Sequence, residues 1–226
     1  MKKHVVPVAL LASISAPAFA QTVMDSQSYR MMAAQSDAFE IASSQLALQR
    51  SRNPTVRRFA QEMIQAHAQT SQALNGGRPV YTASGEFIAG SLGGTLAGAG
   101  IGALIGGPVG AAVGAGVGAA AGTTAGAAAE VQSTGSITPV RIGVPLSPEK
   151  TAMLNQLAST SGAQFDRLYG QYQRMGHQEA LALHANYAQA GGDPSLRQFA
   201  ASVVPHIEQH MADTRRLPGG SVSRRR

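Results

Sequence analysis

The chain has 226 residues, of which 44% are apolar and 13% charged, with no cysteine and no tryptophan. Without cysteine there is no disulfide, no thiolate metal site, no thiol nucleophile and no cysteine to carry a lipid anchor. The formal charge of +6 sits largely at the two ends; without Lys2, Lys3 and Arg224 to Arg226, thirteen basic residues face twelve acidic ones, so the body has no basic face for nucleic acid.

Residues 1–20 read as a secretory signal peptide. Lys2 and Lys3 form a basic start, Val5 to Ile14 a short apolar run, and Ala18-Phe19-Ala20 a small-residue cleavage site that leaves Gln21 first, so cleavage falls between Ala20 and Gln21. Export to the periplasm follows.

Four helical stretches are expected in the mature chain. The first covers about Ser26 to Gln49. Asn53-Pro54, a capping side chain followed by a proline at the first helical position, opens the second, which ends near Leu74 before Gly76-Gly77. Ser147-Pro148 opens the third, which breaks near Ser161-Gly162 and resumes to about Gln189. Asp193-Pro194 opens the fourth, which runs to about Arg216 with a kink expected at Pro205. On the second helix Val56, Phe59, Ala60, Met63, Ile64, His67, Ser71 and Leu74 share one face; on the fourth Leu196, Phe199, Ala200, Val203, Val204 and Ile207 do.

The two halves repeat at an offset of 140 residues. Asn53 to Ala60 aligns with Asp193 to Ala200, with proline, arginine, phenylalanine and alanine identical, and upstream Tyr29 meets Tyr169 without a gap. Two copies of one helical hairpin, residues 21–80 and 147–216, predict a four-helix bundle.

Between the hairpins ten glycines recur at every fourth position: Gly90, Gly94, Gly98, Gly102, Gly106, Gly110, Gly114, Gly118, Gly122 and Gly126. Positions four apart share a helix face, and Phe87 to Ala129 carries no charge. Such a stripe lets backbones meet in a bilayer. Gly106-Gly107-Pro108 divides the stretch into two arms, each roughly 30 Å as a helix, one bilayer core. A self-associating membrane hairpin over residues 87–129 is therefore expected, with the lipid bilayer and a second copy as partners. The tail 217–226, ending in three arginines, is expected to be disordered.

The segments Ser36 to His67, Ser161 to His184 and Asp193 to His210 resemble domain of unknown function 4142. The resemblance implies an exported bacterial protein, often labelled a predicted outer-membrane protein, with a ferritin-like four-helix fold and no assigned reaction. Where that family has Asp before the second-helix histidine, this chain has Ala66. The glycine stretch resembles the glycine-zipper hairpins of small envelope proteins, which self-associate in membranes.

A ferritin-like bundle raises the question of metal. A dinuclear centre needs a glutamate on each of two helices and Glu-x-x-His on the other two. This chain lacks that pattern: Glu62 and His67 are five apart, as are Glu179 and His184, and five helical residues diverge by about 140°. Substoichiometric metal is the resulting expectation. Threading antiparallel hairpins puts Asp37 and Glu40 level with His67, and His177 level with His206, in one layer. Glu40, His67, His177, His206 and His210 are thus the candidate ligands for zinc or iron. Against this, Glu40 faces away from the best apolar stripe of its helix, and His177, His184 and Asp166 fall on a helix flank. No nucleophile or phosphate-loop pattern is present. The sequence reading is an all-α, ferritin-like bundle acting as a structural or interaction protein of the envelope, not an enzyme, with the outer membrane favoured. The alternative is a membrane-tethered, ferritin-like metal-binding protein.

Overall fold

The computed structural model describes residues 24–92, 129–131 and 140–219. Five helices and one two-stranded sheet make up the described chain: α1 (Ser26–Arg50), α2 (Pro54–Leu74), β1 (Ala129–Val131), β2 (Val140–Ile142), α3 (Pro148–Ala158), α4 (Gly162–Ala190) and α5 (Pro194–Thr214). The four long helices form a bundle of two hairpins, α1 with α2 and α4 with α5, joined chiefly through α1 against α4. The third predicted helix is two, broken at Thr160-Ser161 as its sequence indicated.

The helices begin where capping chemistry lets them. Asn53 accepts from the backbone N–H of Thr55 and Val56, Asp193 does the same for Ser195 and Leu196, and Ser147 accepts from Lys150. Each is followed by proline, whose missing N–H costs nothing in the first turn. The two hairpin loops repeat each other down to their arginines. Arg57 donates to the carbonyl of Ser51 at 3.2 Å, and Arg197, 140 residues on, donates to that of Gly191 at 2.6 Å. Pro205 does not end α5, which continues to Thr214 against α4.

The core lies between α1, α2 and α4, around Tyr29, Phe39, Leu46, Met63, Phe165 and Tyr169. All eight residues expected on the inner face of α2 are buried. On α5, Leu196, Ala200, Val203 and Ile207 are buried, while Phe199 and Val204 are half-buried. Helix α1 departs from a one-sided pattern. It contacts α2, α4, α3 and β2 and therefore buries polar residues, Asp37, Glu40, Ser43 and Ser44, on faces that no apolar stripe marks. Glu40, expected to face outward, is 1% exposed.

The fold is all-α with one short addition: β1 and β2 pair antiparallel, Ala129 opposite Ile142, and β2 packs on α1. Two boundaries are corrected. Phe87 does not begin a helix. It sits in a bridge with Tyr81 and its ring covers Gly143, where a Cβ would lie 1.9 Å from it. Gly90 turns the chain at φ +75°. Leu217 is buried rather than part of a loose tail. Gly94 to Gly126, the expected signal peptide with its expected Ala20–Gln21 junction, and residues 220–226 lie outside the described residues. Among the described residues no helix is long and apolar enough to cross a membrane.

Candidate metal centre

Three histidines from three helices converge inside the bundle. His67 on α2, His177 on α4 and His210 on α5 place one ring nitrogen each within 4.8 Å of the other two. Their ring centroids form a near-regular triangle, 5.7 Å from His67 to His177, 5.8 Å from His67 to His210 and 5.3 Å from His177 to His210. His67 and His177 are buried and His210 is partly exposed.

Two of the rings are fixed with a lone pair facing the others. His67 Nδ1 donates to Asp37 Oδ1 at 2.8 Å, which leaves Nε2 as its free nitrogen. Asp37 is held in turn by the Thr70 hydroxyl at 2.7 Å and the Ser71 hydroxyl at 3.2 Å. His177 Nδ1 donates to the Gln173 carbonyl at 2.8 Å, one helical turn back. Carboxylates and carbonyls on the far nitrogen are what fix and polarise metal-binding histidines. His67 Nε2 is buried and has no hydrogen-bond partner among the described residues. His177 Nε2 lies 3.3 Å from His210 Nδ1. Two nitrogens bound tetrahedrally to zinc at about 2.0–2.1 Å lie about 3.3–3.4 Å apart, so this pair is already at chelating separation.

Glu40 closes the site on the α1 side. Its Oε1 is 3.7 Å from His177 Nδ1, and neither carboxyl oxygen has a partner within hydrogen-bond geometry among the described residues. The nearby Gln173 amide bonds the Ser43 hydroxyl instead, at 3.0 Å. Gly176 makes room for the carboxyl, since a Cβ there would lie 2.5 Å from Glu40 Oε1. Burying a polar group without a hydrogen bond costs roughly 2–7 kcal/mol, so an orphaned carboxyl beside His177 is costly unless a proton or a cation compensates it.

The protonation states agree with that need. Burial pushes the Glu40 carboxyl up to about 7, against the pull of His67. Burial, then repulsion from His67, brings His177 down to about 3, and the same causes with His177 added bring His210 to about 3. His67 goes the other way: burial lowers it, but the hydrogen bond and charge of Asp37, with the charge of Glu40, raise it overall. Two neutral imidazoles, His177 and His210, suit a divalent ion, and the third, His67, would give up its proton on binding.

Of the predicted ligands, the fold unites His67, His177 and His210, with Glu40 beside them. It leaves out His206, which is exposed on α5, because the residue level with His177 is one turn further along. His177, expected on a flank, is 1% exposed. His184 is also buried but belongs elsewhere, bonded to the Tyr29 hydroxyl, and Asp166 accepts from Ser51 at 2.5 Å near the bundle end. Glu62 and Glu179 are exposed, and Glu179 pairs with Lys150 at 2.7 Å. Sequence reasoning did not find Thr70, Gln173 and Gly176 as supports of the site. The 140-residue repeat marks the first of them: Thr70 corresponds to His210, as Asp37 does to His177.

Fold and geometry together define a helical-bundle protein with a buried histidine cluster. The chain belongs to the DUF4142 family, a domain of unknown function, whose family model matches residues 11–76 and 119–217. Most of the glycine-rich stretch falls between the two matched segments. No curated protein and no solved structure matches the chain significantly.

Proposed function

We propose that this protein binds one divalent first-row transition-metal ion in a ferritin-like bundle exported to the bacterial envelope. His67, His177 and His210 are the ligands, and Glu40 and Asp37 balance the charge. The observation that carries this reading is the pair of orphaned groups, His67 Nε2 and the Glu40 carboxyl, beside two nitrogens already 3.3 Å apart. The site is mononuclear: one carboxyl and three imidazoles replace the paired Glu-x-x-His of a dinuclear centre. Three imidazole nitrogens, with the remaining position left to water, suit zinc, iron or cobalt, with no thiolate to favour Cu(I). Titration of the metal-stripped, full-length chain with Zn2+ should saturate at one equivalent, and His67→Ala should abolish binding. Saturation far below one equivalent, or uptake unaffected by His67→Ala, would remove the reading.

Location rests on the sequence. The leader at residues 1–20 supports export, and the ten spaced glycines support a membrane-inserted, self-associating hairpin that tethers the bundle. N-terminal sequencing should find Gln21 first. Gly98→Leu and Gly118→Leu should weaken self-association while membrane partitioning persists, because both raise hydrophobicity. A chain that stays soluble without detergent, with or without residues 93–128, would leave only the exported bundle.

A further inference from the structure

The inner trio is closed on the α1, α2 and α4 sides and reaches solvent at His210, the one ligand that is partly exposed. One turn earlier on the same helix stands His206, which is exposed. Helix α5 is unbroken across both, so the two imidazoles lie four residues apart on one face. That spacing allows two ring nitrogens to meet at a single ion, as in helical zinc motifs. His206 is close enough for its charge to oppose protonation of His210, although burial, His67 and His177 act more strongly. From α5 the carboxylate of Asp213 acts on His210, and it is engaged with Gln209 at 2.9 Å and Arg216 at 3.1 Å.

We propose that His206 and His210 form a second, outward metal site that captures a divalent transition-metal ion from solvent and passes it to the inner trio. This inference rests on the inner site proposed above. His210 is shared. Its Nδ1 faces His177, and its Nε2 lies on the opposite edge of the ring. Rotation of that one ring carries a bound ion from His206 towards His67 and His177, and each ligand gained replaces a water, so the ion is never fully re-hydrated. A tether of this kind replaces a chance encounter with an intramolecular step. It speeds loading and release alike, so the inner affinity does not depend on it.

Co2+ gives the test, because its visible absorption reports its ligand geometry directly. The full-length, metal-stripped chain is mixed rapidly with Co2+, and the loaded protein is then mixed with a chelator. His206→Ala should slow uptake and release together, by about tenfold, with stoichiometry, affinity and final spectrum unchanged. His206→Asp, which keeps a ligand, should restore most of the rate. Unchanged rates in His206→Ala would overturn the capture site, as would a loss of final affinity, which would make His206 an inner ligand. If His67→Ala still loads one equivalent with the same spectrum, the inner site itself is wrong, whatever His206 does.

Discussion

The Tyr29 hydroxyl and His184 Nδ1 share a buried hydrogen bond of 2.8 Å between the two hairpins. Adding 140 to Tyr29 gives Tyr169, and subtracting 140 from His184 gives Ser44. Those two residues are also bonded across the hairpins, at 2.9 Å. The same operation takes Asp37 and Thr70, 2.7 Å apart, to His177 and His210, 3.3 Å apart. The bundle is therefore a duplicated hairpin in which equivalent positions still meet equivalent partners. One copy contributes the charge and hydrogen-bond support, and the other contributes two of the three imidazoles.

The two tyrosine pairs should not be equal in energy. Tyr29→Phe leaves a buried imidazole nitrogen unpaired, at a cost of about 1–3 kcal/mol. Tyr169→Phe leaves Ser44, whose hydroxyl can turn to a carbonyl one turn back on its own helix. Urea unfolding should show the larger loss for Tyr29→Phe; equal losses would contradict this account.

In the proposed centre Asp37 would orient His67 rather than touch the ion. Asp37→Asn keeps the shape but weakens the acceptor for His67 Nδ1. Metal affinity should fall about 10- to 100-fold with stoichiometry still one. Competition against a chromophoric chelator measures this, and an unchanged affinity would mean that Asp37 supports the fold alone.

Gly176→Ala runs against the usual helix preference. Alanine gains up to about 1 kcal/mol over glycine in a helix. Here its Cβ would meet Glu40 Oε1 at 2.5 Å, and the buried carboxyl has little room to move. Overpacking costs about 1–3 kcal/mol, so the melting temperature should fall. In a Glu40→Ala background the same change should become neutral or stabilising. A drop of equal size in both backgrounds would place the clash elsewhere.

The metal-free protein should lose stability on mild acidification. Burial holds His177 and His210 at about 3 and His184 at about 4, below the ordinary histidine value of 6.5. Between those values the unfolded chain binds protons that the native state refuses, so stability falls as pH drops from about 6.5 towards 4. Glu40, raised to about 7, opposes this: its native form binds the extra proton, and its contribution is lost as pH rises through 7. His67, raised by Asp37, opposes it too, but three groups outweigh two, so the urea midpoint should be lower at pH 5 than at pH 6.5. The difference between wild type and Glu40→Gln should change the other way, with wild type losing ground as pH rises from 4.5 through 7. A flat profile in both would argue against buried, neutral histidines.

Helix boundaries, caps and the inner face of α2 were legible because each depends on residues close in sequence. Asn53-Pro54 and Asp193-Pro194 pair a side-chain oxygen with N–H groups two and three residues on, and the α2 stripe needs only a 3.6-residue period. The duplication was legible for the same reason, since it is a comparison of the sequence with itself. The role of α1 was not. A helix packed on several sides has no polar face to give its direction away, so Glu40 read as outward and proved buried. The short sheet and the Tyr81–Phe87 bridge were equally hidden, because three-residue strands carry too little pattern to stand out.

The sequence alone determined the duplicated hairpin, its caps and loops, the spaced glycines and the set of histidines and carboxyls from which any centre must be drawn. Only the tertiary structure decided which of them meet. Two antiparallel helices can slide by one turn with little change in apolar burial, and that one turn separates His206 from His210 as the neighbour of His177. The packing between hairpins fixes that register, through contacts such as Tyr29 with His184 that join residues 155 positions apart, and no local pattern encodes them.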